Sequence, residues 1–336
     1  MRAGDLVIAR RCEIFLGPVD DGAAVPVEVE LLYRGSAWAE LVRSCLNLRT
    51  IPISVNIFRM RIDAHQHFWH YNPEEYGWID ERMSGLRCDF LPSDLQPELE
   101  RAGFDGSIAV QAQQTIEETR WLLELAAASP FILGVVGWVD LQSDNVRSQL
   151  EEFSGNPKLL GVRHVLQSEP DYGFMLRPEF LRGVAALEEF GLTYDILIYP
   201  RHLPVAAEFV KQFPRQRFVL DHLAKPFIKR GQIEPWRSDL RRLAKFPNVY
   251  CKLSGMVTEA DWGAWTAEQI APYIKVAIEC FGAERLMIGS DWPVCTVAGS
   301  YSRIMNLVLD FLSRHTDRER EAILGGTAAK LWRLRR

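Results

Sequence analysis

From Met60 onward the chain alternates between two hydrophobic rhythms. Short runs rich in Val, Ile and Leu ("MRIDAHQHF", "DGSIAVQAQ", "FILGVVGWVD", "LLGVRHVLQ", "LTYDILIYP", "RFVLDHLAK", "NVYCKLSG" and "RLMIGSDWP") read as eight strands. Between them lie longer segments such as "TIEETRWLLELAAAS" and "RPEFLRGVAALEEFG", whose apolar residues recur every three and four positions and predict helices. Strands that are apolar on both faces and alternate with helices imply a parallel sheet covered by helices. Eight such units in about 275 residues match a (β/α)8 TIM barrel, a single catalytic domain over 60–336. A doubly wound open sheet is the competing architecture. No G-x-G-x-x-G or Walker sequence follows any of the strands, so its nucleotide-binding forms lose support. The terminal "DREREAILGGTAAKLWRL" reads as a helix pair packed on the outside of the barrel.

Residues 1–59 break the rhythm. They hold seven Arg and no Lys, two β-like pieces ("PVEVELLYR" and "TIPISVNIF") and no β/α unit. Two readings stand: a small β appendage, or sequence upstream of a true start at Met60, and the second is preferred. Neither gives this N-terminal extension a part in the chemistry.

Composition changes this picture little. With 336 residues, 48% hydrophobic and 25% charged, the chain is ordinary globular material. Its net charge of −5 is scattered in both signs, which leaves no footprint for nucleic acid or an anionic membrane. No apolar run approaches the roughly 20 residues a bilayer span needs, and no secretory signal opens the chain. A cytoplasmic protein acting on a small molecule is expected, with assembly into a homo-oligomer left open. Six dispersed cysteines without a C-x-x-C pair point to reduced, buried thiols.

The candidate chemistry lies at strand ends. Side chains at i and i+2 of a strand share a face, so His65 and His67 project together, at the barrel mouth where such enzymes keep their active sites. Two imidazoles there suit a divalent metal or a polarised carbonyl; the alternative is a pair of core histidines bonded to backbone. Closure of the ring makes the eighth strand a neighbour of the first and brings Asp291 of "IGSDWP" beside them, with His222 of "VLDHLAKP" at the same height. Asp63 shares the parity of the two histidines one step deeper, as an orienting carboxylate. Asp221 points opposite to His222 and reads as a loop or cap partner.

Arg163 in "GVRH" is the first substrate-binding candidate, because an arginine in an apolar strand needs a carboxylate, carbonyl or hydroxyl array; pairing to a structural acid is its other reading. His164, of opposite parity, faces the helices. Lys252 with Ser254, and Gln111 with Gln113, form same-face pairs able to bond sugar hydroxyls, while Tyr199 and His202 follow the fifth strand. Trp69 and Trp292 flank the cluster and are expected as pocket walls; Trp78 and Trp138 are expected in the core.

Taken in order, "DAHQHFW…EEYGWI", "GVRHVLQ", "LDHLAKP", "KLSG" and "IGSDWP" resemble the amidohydrolase superfamily. The likeness is to the amidohydrolase-related (amidohydrolase 2) branch, which includes L-fuconolactone hydrolase, rhamnonolactonase-like proteins and 2-pyrone-4,6-dicarboxylate lactonase. The resemblance implies a (β/α)8 barrel that hydrolyses small lactones in carbohydrate catabolism, with catalytic roles for Asp291, His222, His65 and His67. Superfamily members with two metals use a strand-four lysine and a strand-five histidine, neither of which this chain has. At most one divalent ion (Zn or Mn) is expected, on His65, His67, His222 and Asp291, and metal-independent action is equally compatible. Asp291 would serve as general base toward water and then protonate the leaving ring oxygen, while His222 stabilises the oxyanion. A sugar-derived lactone of the L-fucono or L-rhamnono type is the leading substrate. Pyrone dicarboxylate, which needs more cations than the acidic "QSEPDYGFMLR" loop supplies, and a metal-dependent decarboxylase reaction are the alternatives.

Overall fold

A computed structural model of the chain describes residues 60–334 and, ahead of them, two strands, β1 (Ala9–Leu16) and β2 (Val25–Leu32). These two pair antiparallel and belong to a unit separate from the rest. The second strand lies where "PVEVELLYR" predicts one, the first is additional, and "TIPISVNIF" falls outside the described residues.

The main unit contains all eight expected strands: β3 (Ile62–Gln66), β4 (Gly106–Val110), β5 (Ile132–Gly137), β6 (Leu159–His164), β7 (Thr193–Ile196), β8 (Phe218–Leu220), β9 (Val249–Leu253) and β10 (Leu286–Ile288). Each pairs in parallel with its sequence neighbour. Helices α1 (Pro92–Ala102), α2 (Ile116–Ala128), α3 (Val146–Phe153), α4 (Pro178–Glu189), α5 (Leu203–Lys211), α6 (Trp236–Leu243), α7 (Ala267–Phe281) and α8 (Tyr301–Leu312) follow the strands in turn. Their apolar faces bury against the outside of the sheet, which is where most of the hydrophobic core lies.

The ring closes at its upper end. His67 N donates to Trp292 O at 2.7 Å and Asp291 N to His65 O at 2.8 Å, and Gln66 pairs with Trp292 as an isolated parallel bridge. The seam between first and last strands is therefore stitched by the residues expected to carry the chemistry.

The C-terminal segment is a correction to the sequence reading. After α9 (Asp317–Glu321) and a π-helical turn (Ala322–Gly326), helix α10 (Thr327–Trp332) plugs the N-terminal end of the barrel rather than lying on its outside. Ala328, Leu331 and Trp332 pack into an inner layer with Ile62, Ile108, Val136 and Val219. Trp332 Nε1 donates to Thr193 Oγ1 at 3.2 Å, and Arg217 donates to Leu331 O at 2.7 Å, both at strand beginnings. A barrel floor needs apolar cover, and the "AAKLW" stripe supplies it. At Gly325 the backbone passes so close to β3 that a Cβ would stand 2.0 Å from Met60 O.

Of the cysteines, Cys251 and Cys295 are buried, Cys280 is half-buried and Cys88 is exposed, which corrects the expectation for Cys88. No described helix is long and apolar enough to cross a membrane.

Candidate active site

The first strand does not keep a simple alternation. Between Asp63, opposite Ser107, and Gln66, opposite Ala109, β3 advances three residues while β4 advances two. Such a bulge reverses the facing of everything beyond it. Ile62 and Ala64 belong to the inner apolar layer below, and His65 and His67 point inward above. Asp63 consequently does not share their face, contrary to the parity reading. Its carboxylate accepts from Ser290 N at 2.8 Å, His65 N at 3.2 Å and Tyr301 Oη at 3.1 Å. Burial raises it to about 6 against those hydrogen bonds. Ser300 caps α8 and so sets Tyr301 in place.

Strand β8 ends at Leu220, and the chain then winds through four consecutive non-glycine residues with positive φ: His222 (52°), Leu223 (53°), Ala224 (57°) and Lys225 (52°). Each costs about 1 kcal/mol or more, so the surroundings must impose the shape. Lys225 N donates to His222 O at 2.7 Å and Trp236 Nε1 to Leu223 O at 2.7 Å. Gly255, itself at φ 60°, leaves no room for a side chain, since a Cβ there would lie 2.5 Å from His222 Nδ1. This left-handed turn overturns the expectation for Asp221. Strand parity has lapsed, and Asp221 and His222 both enter the barrel.

Asp291, also at positive φ (62°), presents one oxygen to three imidazoles. Its Oδ1 lies 3.4 Å from His67 Nε2, 3.7 Å from His65 Nε2 and 3.9 Å from His222 Nε2. The Nε2 atoms of His65 and His67 are 3.1 Å apart. His67 Nδ1 is 2.8 Å from Val110 O, and His222 Nδ1 is 2.9 Å from Ser254 Oγ. The four residues thus converge on one volume.

Burial dominates the electrostatics. It holds His65 well below the usual imidazole range despite Asp221, lowers His67 despite Asp291, and brings His222 to about 4 despite Asp291 and Asp221. Burial alone would raise Asp291, but the imidazoles around it, His222 first and then His67 and His65, outweigh it and hold the carboxyl well below the usual range. At neutral pH the site is one carboxylate among neutral imidazoles. A stability prediction follows. The unfolded chain protonates His222 near 6.5 and the folded chain only near 4, so stability falls as pH drops through that interval. The slope is at most about 1.4 kcal/mol per pH unit. Urea unfolding between about pH 7 and about pH 5 should show a shallower loss for His222→Asn than for the parent; parallel curves would refute it.

The donor set fits one divalent ion. Tetrahedral coordination by nitrogen at about 2.0–2.1 Å spaces ligand atoms by about 3.3 Å, close to the separations among His65 Nε2, His67 Nε2 and Asp291 Oδ1. A second grouping, His65 with Asp221 and His222, shares its first member.

Other predicted contacts are placed differently. Lys252, fully enclosed, bonds to Asp195 Oδ2 (2.5 Å) and His65 Nδ1 (3.1 Å), with Asp221 Oδ1 as an ion-pair neighbour at 3.0 Å, and so lies beneath the histidines instead of facing substrate. Arg163 donates to Asp221 Oδ2 at 3.0 Å and to Gln111 Oε1 and Gln111 O, the pairing its alternative reading anticipated; Gln111 is consumed with it. Gln113 reaches Glu75 O of the long first loop at 2.7 Å. Trp69 is buried with Nε1 bonded to Cys88 O, and Trp292 packs between Phe68 and Phe90; both back the site as packing and neither is an open wall. The first loop folds back through the Trp69 and Phe90 bridge, which draws these rings inward. Trp78, expected in the core, is 45% exposed, and Trp138 is half-buried. His164 does face the helices, stacked on Phe174 and against Phe180 of α4.

Tyr199 and His202 stand together beyond β7, where His202 Nδ1 accepts from Tyr199 N at 3.1 Å. Sequence reasoning missed the residues around them: Arg201 lies over the rings of Tyr172 and Tyr199, and Lys225 sits 4.0 Å from Glu259. It also missed Asp195, which the rule applied to Arg163, a charge in an apolar strand, would have found.

The amidohydrolase family model matches residues 62–334. The chain belongs to the amidohydrolase family. This amidohydrolase is 42% identical over 286 residues to an L-fucono-1,5-lactonase of Burkholderia multivorans, covering 82% of this chain and 96% of that one. An L-rhamnono-gamma-lactonase of Scheffersomyces stipitis is 26% identical over 156 residues, 41% of this chain and 46% of the other. A crystal structure of a Burkholderia multivorans amidohydrolase with bound zinc superposes with a TM-score of 0.78 at 42% identity, over 82% of this chain and all of that chain.

Proposed function

We propose that this amidohydrolase opens a sugar-derived lactone of the L-fucono-1,5 type, with Asp291 activating the attacking water. The observation that carries this reading is the single carboxylate oxygen, Asp291 Oδ1, within 3.4–3.9 Å of three neutral imidazole nitrogens at a barrel mouth. Similarity to the Burkholderia lactonase supports the substrate class.

Asp291 takes a proton from water as its oxygen attacks the lactone carbonyl, and a tetrahedral oxyanion forms. The serine hydroxyl is a free rotor: with Ser254 Oγ–H donating to His222 Nδ1, Nε2 carries the hydrogen and donates to that oxyanion. The protonated Asp291 then gives its proton to the departing ring oxygen, and the open hydroxy acid leaves. A lactone requires modest electrophilic help, because its leaving group is an alkoxide and its carbonyl is not amide-stabilised. A divalent ion, when bound, would be held by His65, His67 and Asp291 and supplies Lewis-acid polarisation. Tyr199, His202, Lys225 and Glu259 are the polar groups we assign to the sugar hydroxyls. Arg163 is committed to Asp221 and Gln111 and is not available to pair with a dicarboxylate.

A pH-stat panel of L-fucono-1,5-lactone, an L-rhamnonolactone and 2-pyrone-4,6-dicarboxylate, with and without chelator, tests the reading. The fucono substrate should turn over fastest. Faster turnover of the pyrone, or none of the aldonolactones, would overturn it. His222→Asn should lower kcat by about 10²-fold with KM little changed; an equal rise in KM instead would assign His222 to binding.

A further inference from the structure

Lys252 is a buried ammonium with three N–H groups; Asp195 Oδ2 at 2.5 Å and His65 Nδ1 at 3.1 Å lie in hydrogen-bond geometry, and Asp221 Oδ1, at 3.0 Å, is an ion-pair neighbour with no hydrogen bond of its own. Trp332 of the barrel plug lies below it, the ring centroid 6.0 Å from Nζ. An enclosed donor without an acceptor is costly, and the second acceptor exists only if His65 Nδ1 carries a lone pair. The ring hydrogen then sits on Nε2, the atom that faces His67 and Asp291. His67 completes the arrangement. A carbonyl only accepts, so His67 Nδ1 donates to Val110 O, and its Nε2 is free to accept from His65 Nε2 at 3.1 Å. A competing donor is Arg163, whose terminal nitrogen is 3.3 Å from His65 Nε2. That nitrogen already has an acceptor in Asp221 Oδ2, whereas Lys252, at 0% exposure, has only Asp195 Oδ2 and His65 Nδ1 in hydrogen-bond geometry.

We infer that Lys252 is a positioning residue: it keeps the His65 hydrogen on Nε2 and thereby opposes capture of a divalent cation by His65, His67 and Asp291. For the cation to bind, the proton must leave Nε2 and bond to Nδ1, where the unpartnered Asp221 Oδ1 accepts it at 3.3 Å, and Lys252 then loses His65 as an acceptor. Charge works in the same direction. Lys252 and Arg163 neutralise Asp195 and Asp221, so no spare negative charge remains beneath the histidines to attract a second positive group. The inference rests on reading this donor set as a one-cation site.

The test titrates zinc into metal-stripped parent protein, Lys252→Met, and the double variant Lys252→Met with Asp195→Asn. The double variant keeps the buried charge balanced and serves should the single one fail to fold. Zinc affinity should tighten by about tenfold or more in the Lys252 variants, the usual reach of groups behind a metal ligand. Nitrogen-resolved NMR of the metal-free protein should find the His65 hydrogen on Nε2 in the parent and on Nδ1 in the variants. A purely structural lysine would lower the melting temperature and move neither readout. Equal zinc affinity in all three proteins overturns the inference and spares the one-cation reading; failure of every protein to bind zinc removes both. A hydrogen on Nδ1 of the parent refutes it directly.

Discussion

Asp291→Asn should lower kcat for lactone hydrolysis by about 10³-fold, within the range that a positioned general base contributes. The amide has the size of the carboxylate, and the backbone bonds that seat the residue, from Asp291 N to His65 O and from Cys295 N to Asp291 O, do not involve the side chain. The fold is therefore expected to survive while the proton acceptor is lost. The same oxygen is proposed to return the proton to the leaving group, so addition and ring opening are both impaired and no single step can mask the defect. Steady-state kinetics alongside a thermal melt decides the matter. A rate within a few-fold of the parent would mean that water is activated elsewhere.

Gly325→Ala is expected to destabilise the barrel by about 3 kcal/mol or more, at the upper end of overpacking costs. The added methyl carbon would stand 2.0 Å from Met60 O, 3.0 Å from Met60 C and 3.2 Å from Ile62 N, all backbone atoms of the entry to β3. A flexible side chain could swing aside; a strand start hydrogen-bonded into the sheet cannot. The π-helical turn must move away, and with it α10, which floors the barrel under Lys252. Gly155→Ala is the control: its Cβ would meet nothing within 4 Å, and its effect should stay under about 0.5 kcal/mol. Equal melting temperatures for the two variants would show that the seam yields more readily than its geometry implies.

The periodicity of the chain was sufficient for the architecture, because parallel strands buried on both faces and amphipathic helices leave opposite signatures and repeat eight times. Convergence of His65, His67, His222 and Asp291 was legible for the same reason: each stands at or just beyond the C-terminal end of an apolar run, and ring topology does the rest. What failed was facing. Asp63 was misassigned because a one-residue bulge leaves no mark in the pattern, and Asp221 because a left-handed turn built from His, Leu, Ala and Lys contains none of the glycines that announce positive φ. Lys252, Arg163 and Gln111 look like substrate contacts one at a time. Only their mutual distances, with Asp195 and Asp221, reveal a closed set of charges beneath the histidines. The plug was misplaced because an amphipathic helix states that it covers something apolar, not which surface that is.

The stitch between the ends of the barrel also orders events in time. Ser290 and His65, linked across the seam, are 225 residues apart in the chain. A ribosome releases both early imidazoles long before it adds the acid they surround, so a nascent or prematurely ended polypeptide carries histidines without their carboxylate partner. If Asp291 is the base proposed above, hydrolytic competence begins only when the last strand arrives, and an active molecule is by that fact one whose barrel has been completed.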